Sequence, residues 1–328
     1  MSSLSIVIPT YNGLHHLKRC LPSVLQYAPS PTQVIVVDDA STDGTTDWVR
    51  SHFPEAELIP FSTNVGFCRA VNAGIDIARG DIVELLNNDT EVCAGWAEAA
   101  LEHFQEPSVG SVAPLVLVMD ADKIDSAGQN YHVCGWAQPR GYGRPVTPKY
   151  LTPQEVFGAS GSSGFYRRAA LNQVGGMLPE YDAYLEDTDL AFRLRWAGYR
   201  CVYEPTSRVY HRGSASYGKQ SQRVLRWLSR NEELNFWTNL PWKQLLLGLP
   251  LHAAFVGIRC FRQALRGQLS AYLRGKWEAM KMWRWMANRR WKVQDLSEPE
   301  AKPTDIRLSL GFDVVETGWT WLRRRQCR

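Results

Sequence analysis

Short, continuously apolar runs alternate with amphipathic stretches over residues 4–113. The apolar runs predict strands at Leu4–Ile8, Gln33–Val37, Leu58–Pro60, Asp81–Leu86 and Gly110–Ala113. Between them, apolar positions at helical spacing predict helices at Leu14–Gln26, Thr45–His52, Cys68–Ala78 and Ala94–Phe104. Ile6-Val7-Ile8 and Val34-Ile35-Val36-Val37 are apolar at every position, as strands covered on both faces must be. The alternation reads as βαβ units on a mainly parallel sheet. In open sheets of this class ligands bind beyond the carboxyl ends of the strands. The polar residues that follow each apolar run are therefore the first candidates for chemistry.

Residues 114–165 break this pattern. Gly and Pro recur at Gly128, Gly135, Pro139, Gly141, Gly143, Pro145, Pro148 and Pro153, which predicts a loop-rich insertion with room for a hairpin, shaping an acceptor site. Helices are expected at Arg168–Val174, before Gly175-Gly176, and from Glu186 to Ala197, stopped by Gly198. Strands Arg200–Tyr203 and Ser207–His211 would close the unit. After about Gly213 long helical patterns dominate, and 9 of the 13 tryptophans fall between Trp227 and Trp321. The most apolar window, Leu245–Ile258, contains Pro250 and His252 and falls short of the ~20 apolar residues a bilayer crossing needs. Arg259, Arg262, Arg266 and Arg274 follow it. Apolar side chains, Trp and Arg together suit a helix lying in a membrane interface. The plainer alternative is a helical subdomain packed on the catalytic part.

Charge sharpens this division. Residues 1–205 hold 14 Lys+Arg and 24 Asp+Glu, a net of −10; residues 206–328 hold 23 and 9, a net of +14. An acidic, metal-using part at 1–212 and a basic helical part at 213–328 that meets an anionic surface are expected. The seven cysteines are scattered without Cys-x-x-Cys spacing, so neither a disulfide framework nor a zinc site is predicted, and a reducing cytoplasm fits. Ser2–Thr10 lacks the basic start and long apolar run of a secretory leader.

Six polar clusters fall at predicted strand ends or helix starts. Pro9-Thr10-Tyr11-Asn12 and Val37-Asp38-Asp39-Ala40-Ser41 end the first two strands. Tyr11 can stack on a planar base, and a carboxylate can accept a hydrogen bond from a pyrimidine N–H. In Asn64-Val65-Gly66-Phe67-Cys68-Arg69, Gly66 allows close backbone approach and Arg69 can face a diphosphate. Asn87-Asn88-Asp89 offers oxygen ligands to a hard divalent ion. Glu186-Asp187-Thr188-Asp189 opens a helix, whose dipole keeps a carboxylate ionised and able to take a proton. His211 ends a strand and can ligate Mn²⁺. Each has an ordinary reading: turn and cap chemistry, first-turn acids, or a core histidine.

Jointly and in this order, the six clusters resemble glycosyltransferase family 2, the nucleotide-sugar-dependent enzymes of GT-A fold, over roughly residues 4–212. Ile-Pro-Thr-Tyr-Asn, Val-Asp-Asp-Ala-Ser-Thr-Asp-Gly-Thr and Asn-Val-Gly-Phe look like its rhamnosyltransferase-like branch. The resemblance implies an α/β, Rossmann-like, mainly parallel sheet flanked by helices, with a C-terminal helical appendage. Thr10, Tyr11 and Asp38 would hold the nucleoside, with Asp39 an additional or alternative contact. Asp89 matches the final acid of the family's metal-binding Asp-x-Asp motif, and Asn87 at its first position removes one negative charge. Glu186-Asp187 matches the Glu-Asp pair whose second acid is the base, and His211 matches a further metal ligand. Gly158–Gly164 lies where the family lines the donor-sugar and acceptor pocket.

The activity implied is inverting, Mn- or Mg-dependent transfer of a sugar, rhamnose by branch resemblance, from a nucleoside diphosphate to a glycan or lipid-linked oligosaccharide in cell-surface polysaccharide synthesis. The protein is expected on the inner face of the cytoplasmic membrane. The alternative acceptor is a polyprenyl phosphate. Nucleic acid is not an expected partner, because the acidic front repels phosphate backbone and no RNA-binding signature is present. The turn after strand one lacks Gly-x-Gly-x-x-Gly, which argues against a dinucleotide-binding oxidoreductase.

Overall fold

The computed structural model describes residues 2–213 and 221–296. The expected tail features Trp319, Trp321 and Cys327 lie outside the described residues. In chain order the elements are β1 (Leu4–Thr10), α1 (Leu14–Tyr27), β2 (Thr32–Asp38), α2 (Thr45–His52), β3 (Glu57–Pro60), α3 (Phe67–Ile77), β4 (Ile82–Leu86), β5 (Thr90–Val92), α4 (Trp96–Glu102) and β6 (Val109–Val118). There follow β7 (Ile124–Ser126), β8 (Gln129–Tyr131), β9 (Ala137–Pro139), β10 (Gln154–Val156), β11 (Ser163–Arg167), α5 (Arg168–Val174), α6 (Glu186–Trp196) and β12 (Arg200–His211). The C-terminal helices are α7 (Gln222–Asn239), α8 (Trp242–Leu265), α9 (Leu269–Lys281) and α10 (Trp283–Gln294).

The main sheet has ten strands, with the order β10-β12-β6-β11-β4-β1-β2-β3, β5 paired to β12 and β7 paired to β6. Strands β4, β1, β2 and β3 are parallel. β11 runs antiparallel between β4 and β6. The all-apolar strands are explained by their two coats. Ile6, Ile8, Val34 and Val36 face one cluster with Leu17 and Leu21 of α1, while Val7, Ile35 and Val37 face another with Val71 and Ile75 of α3.

Two sequence expectations change. The strand expected to stop at Ala113 runs on to Val118. Pro114 does not break it, because Pro114 lies opposite Glu204, where the register of β12 shifts and a ladder hydrogen bond is already missing. That same irregularity makes one strand, β12, of what read as two. The loop-rich region does contain a hairpin, β8–β9, together with the short strands β7, β10 and β11.

α6 and α7 are joined through buried polar groups as well as apolar ones, Phe192 and Trp196 sharing a cluster with Phe236. Asp189 and Arg193 are wholly buried and paired at 2.7 Å. Asp189 also accepts from Tyr181 and from Asn239 of α7, at 3.3 and 3.0 Å. Asp189 is thus a structural anchor, in keeping with its ordinary reading.

Glu84 is buried in the middle of β4. Trp96 Nε1–H reaches both its oxygens, at 3.1 and 3.2 Å, and the Ser163 hydroxyl donates to one of them at 3.0 Å. Burial outweighs these donors and pushes its pKa up to about 8 from an ordinary 4.5. The folded carboxyl therefore keeps a proton that the unfolded chain releases, and its contribution to stability is lost as pH rises from 4.5 through about 8. Glu84→Gln should flatten this slope. Urea unfolding should find the variant more stable than the parent at about pH 8.5 by a few kcal/mol, at about 1.4 kcal/mol per pKa unit, with little difference near pH 4.5. An unchanged slope would mean that Glu84 ionises normally.

Candidate active site

Parallel strands end at one rim, and their last residues meet there. Thr10 is in register with Asp38, and Leu85, close to Asn87, pairs with Val7. Beyond this rim lies a cavity of about 400 Å³, lined among others by Thr10, Tyr11, Asp39, Asn87, Asp89, Gln129, Gly161, Glu186, Asp187 and His211. Tyr11 is 42% exposed, so a ring face is free for stacking. Thr10 is fixed by Asn88, whose amide donates to its hydroxyl at 2.7 Å.

The two acids after β2 face different ways. Asp38 turns into its own turn, accepting from the Ser41 N–H at 3.0 Å and from the Thr46 hydroxyl. Asp39 lines the cavity and accepts from the N–H groups of Val65 and Gly66, at 2.6 and 3.0 Å. Burial raises its pKa against those donors. Gly66 has φ +88, a conformation L side chains rarely adopt, and it aims its N–H at Asp39. It acts through Asp39, for Gly66 itself does not line the cavity. Arg69 is exposed on α3 and does not line it either.

His211 bridges two carboxylates, with Nε2 3.2 Å from Asp89 and Nδ1 2.9 Å from Asp125. Burial would lower its pKa, but the two acids outweigh burial and push it up to about 9. Burial opposes ionisation of Asp89, yet the hydrogen bond and charge of His211 hold it below the usual range. A carboxylate that fixes one imidazole nitrogen and points the other at an acid in a cavity is the donor arrangement of many metal sites. Among the described residues no group of three or more His, Cys, Asp or Glu side chains could hold an ion by itself. Asp89 and His211 could supply two ligands to a divalent ion, whose other positions would fall to substrate oxygens or water.

Opposite lies the acid pair. Glu186 and Asp187 begin α6, after a segment in which Asp182, Tyr184 and Leu185 have φ of 58°, 70° and 66°. Each left-handed non-glycine residue costs about 1–2 kcal/mol. Asp187 accepts from the Gly161 and Thr188 N–H groups, both at 2.7 Å, and from the Gln129 amide. A Cβ on Gly161 would lie 3.2 Å from Asp187 Oδ2, so the close approach of this N–H favours glycine. Glu186 Oε2 is buried with no partner. Burial raises both pKa values, and the neighbouring Asp187 charge raises that of Glu186 further. The donors stabilise charge on Asp187 and leave the proton to Glu186.

Sequence reasoning thus named Thr10, Tyr11, Asp39, Asn87, Asp89, Glu186, Asp187 and His211, which share one cavity, and Asp38, Gly66 and Arg69, which do not line it. It missed Gln129, Gly161 and Asp125. Gly161 was inside the noted Gly158–Gly164 stretch; Gln129 and Asp125 carry no local signal.

A mainly parallel sheet with polar residues and an acid pair around a strand-end cleft is compatible with a nucleotide-sugar-dependent glycosyltransferase, and comparison with known proteins identifies the family. Residues 5–175 match Glycosyl transferase family 2, and the chain belongs to that family. It is 33% identical over 242 residues to the N-acetylglucosaminyl-diphospho-decaprenol L-rhamnosyltransferase of Mycobacterium tuberculosis, a match covering 66% of this chain and 78% of the relative. It is 29% identical to the Pre-mycofactocin glycosyltransferase of the same organism, covering 63% of this chain and 42% of that one. The fold matches the structure of GalNAc-T7 with UDP, GalNAc and Mn²⁺ at a TM-score of 0.58 and 18% identity, covering 71% of this chain and 48% of that chain. It matches the mannosyltransferase PcManGT from Pyrobaculum calidifontis, in complex with GDP-Man and Mn²⁺, at 0.54 and 19%, covering 90% and 84%.

The imidazole geometry generates a prediction. In metal-free protein His211 should titrate at about 9, and Asp125→Asn should lower that value by removing one of its two anions. Histidine-resolved NMR across the pH range checks this; an ordinary value near 6.5 would contradict the two-carboxylate environment.

Proposed function

We propose that this protein is an inverting glycosyltransferase that moves rhamnose from a nucleoside diphosphate to a hydroxyl of N-acetylglucosamine carried on a polyprenyl diphosphate. The donor and acceptor are inferred from the mycobacterial relative's name. The observation that carries the reaction type is the convergence of Asp39, Asp89, His211 and Asp187 on one cavity.

Tyr11 stacks on the base, and Thr10 and Asp39 hold the nucleoside. Asp39 suits this role better than Asp38, whose oxygens serve its own turn. Asp187, whose charged form its four donors favour against burial, takes the proton of the acceptor hydroxyl. That oxygen attacks the anomeric carbon, the bond to the nucleoside diphosphate breaks, and the diphosphate leaves with the electron pair. One base and one displacement invert the anomeric centre. Asp89 and His211 would hold a Mn or Mg ion, which supplies charge neutralisation at the diphosphate when bound. Glu186, carrying a proton, avoids a second negative charge beside Asp187.

Asp187→Asn should lose about 10²–10⁴-fold in turnover while nucleoside diphosphate affinity stays within about twofold. A panel of nucleotide sugars, with the polyprenyl diphosphate acceptor and a polyprenyl phosphate as alternative acceptors, measures the first; calorimetry measures the second. Ordinary turnover by the variant would remove the base assignment.

The helical region supports action at a membrane surface. α8 has 24 residues and is long and apolar enough to cross a membrane, so the Leu245–Ile258 window understates it. One face is nevertheless committed to the protein: Leu245, Gly248 and His252 are buried, His252 meets Glu233 at 3.1 Å, and Arg259 meets Glu232 at 2.8 Å. Its other face exposes Leu246, Leu247, Leu251, Ile258, Phe261 and Leu265. Exposed Arg262, Arg266 and Arg274 stand nearby, each contributing about 1 kcal/mol at an anionic surface. We read α8 as lying in the interface. Vesicle flotation with anionic lipid should recover the intact chain in the lipid fraction and lose Leu247→Glu/Phe261→Glu. Equal flotation of both would count against this face.

A further inference from the structure

α7 carries a feature that neither a cover nor a membrane anchor requires. Asn231, Asn235 and Asn239 recur at every fourth position, share one face of the helix, and are buried. Two of them grip the turn ahead of the acid pair. Asn231 Nδ2 donates to the carbonyls of Tyr181, Ala183 and Tyr184 at 2.9, 3.1 and 2.7 Å. Asn235 Nδ2 donates to the Leu185 carbonyl at 3.1 Å. Arg230 donates to the Tyr181 carbonyl at 2.8 Å and to the Asp182 carboxylate at 2.9 Å. Its Nε–H also donates to Asn231 Oδ1 at 2.9 Å, which orients the amide.

The gripped turn is the strained one. Asp182, Tyr184 and Leu185 all have positive φ, and such backbone persists only where its surroundings over-determine it. Glu186 follows directly. Besides Thr188 in its own helix, the donors that favour the charged form of Asp187 come from elsewhere, Gln129 from β8 and Gly161 from the loop before β11. The acids must therefore be delivered to a fixed point that α6 alone does not define.

We propose that Asn231, supported by Arg230 and Asn235, is a positioning residue for glycosyl transfer: it holds the 181–185 turn, with its positive-φ residues Asp182, Tyr184 and Leu185, in place and so seats Glu186 and Asp187 against Gln129 and Gly161. The proposal rests on the reading of that acid pair given above. A shift of about 1 Å at such a site lowers the rate about 100-fold.

The test uses the purified full chain and Asn231→Ala, with Val24→Ala, a core truncation under α1 on the far side of the sheet, as a control for general destabilisation. Hydrogen exchange needs no substrate. The amides of 183–188 should exchange at least about tenfold faster in Asn231→Ala, with β1 and β2 unchanged. With the nucleoside diphosphate rhamnose that the donor panel identifies and polyprenyl diphosphate N-acetylglucosamine, kcat should fall about 10–100-fold while the donor KM stays within about twofold. Unchanged exchange at 183–188, or a kcat loss no larger than that of Val24→Ala, overturns the proposal. Asp187→Asn in the same series separates the two readings: if it keeps its turnover, the acid-pair reading falls and this proposal with it; if it loses turnover while Asn231→Ala keeps it, only the positioning role falls. Where Asn231→Ala does not fold, Asn235→Ala, which loses one carbonyl contact to the turn, carries the same comparison.

Discussion

Two carboxylates held side by side in the wall of one cavity set the terms for this structure. Burial alone would leave both Glu186 and Asp187 protonated and inert as bases. The charged form is favoured at Asp187, where donors from three segments reach its oxygens: the amide of Gln129 in β8, the N–H of Gly161, and the N–H and hydroxyl of Thr188. The β8–β9 hairpin, the loop before β11 and the first turn of α6 are all needed at one point. A glycine at 161 and an unfavourable backbone at 184 and 185 are local costs of that convergence.

The sheet supplies the opposing wall by a simpler route. Parallel strands in register finish at one rim, so Thr10, Asp39 and Asn87 meet without any special device. Asp89 needs more, and it receives His211 from the end of β12, with Asp125 behind it. The two walls differ in electrostatic character: the rim gathers hydrogen-bonding groups and an imidazole that bridges two acids, and the opposite wall sets two carboxylates side by side. Such a division suits a donor whose charge lies at the diphosphate and an acceptor that must lose a proton.

The C-terminal helices connect this chemistry to the surroundings. α7 meets the turn before α6 with amides, and α8 rests on α7 through His252–Glu233 and Arg259–Glu232. The apolar outer face of α8 is therefore only one helix away from the acid pair. Gly135 and Val133, in the β8–β9 hairpin that also carries Gln129, pack against His252 and Gly248 of α8.

Much of this was legible in the chain. Unbroken apolar runs ending in Pro-Thr-Tyr-Asn, Val-Asp-Asp and Leu-Asn-Asn-Asp located the parallel strands and their rim, because burial on both faces leaves no polar position inside such a strand. The motif order carried the family, and first-turn acids marked α6. The sequence could not say that Asp39 rather than Asp38 faces the cavity, since adjacent carboxylates differ only in which way the turn points them. Nor could it reveal Gln129, Asp125 or the Asn231 stripe as parts of the site, because each acts on a residue dozens of positions away: 58 between Gln129 and Asp187, 86 between Asp125 and His211, and 47 between Asn231 and Tyr184. Local pattern records what a residue does for its own strand or helix. Which carboxylate keeps its charge depends on donors brought from distant segments, and only packing brings them.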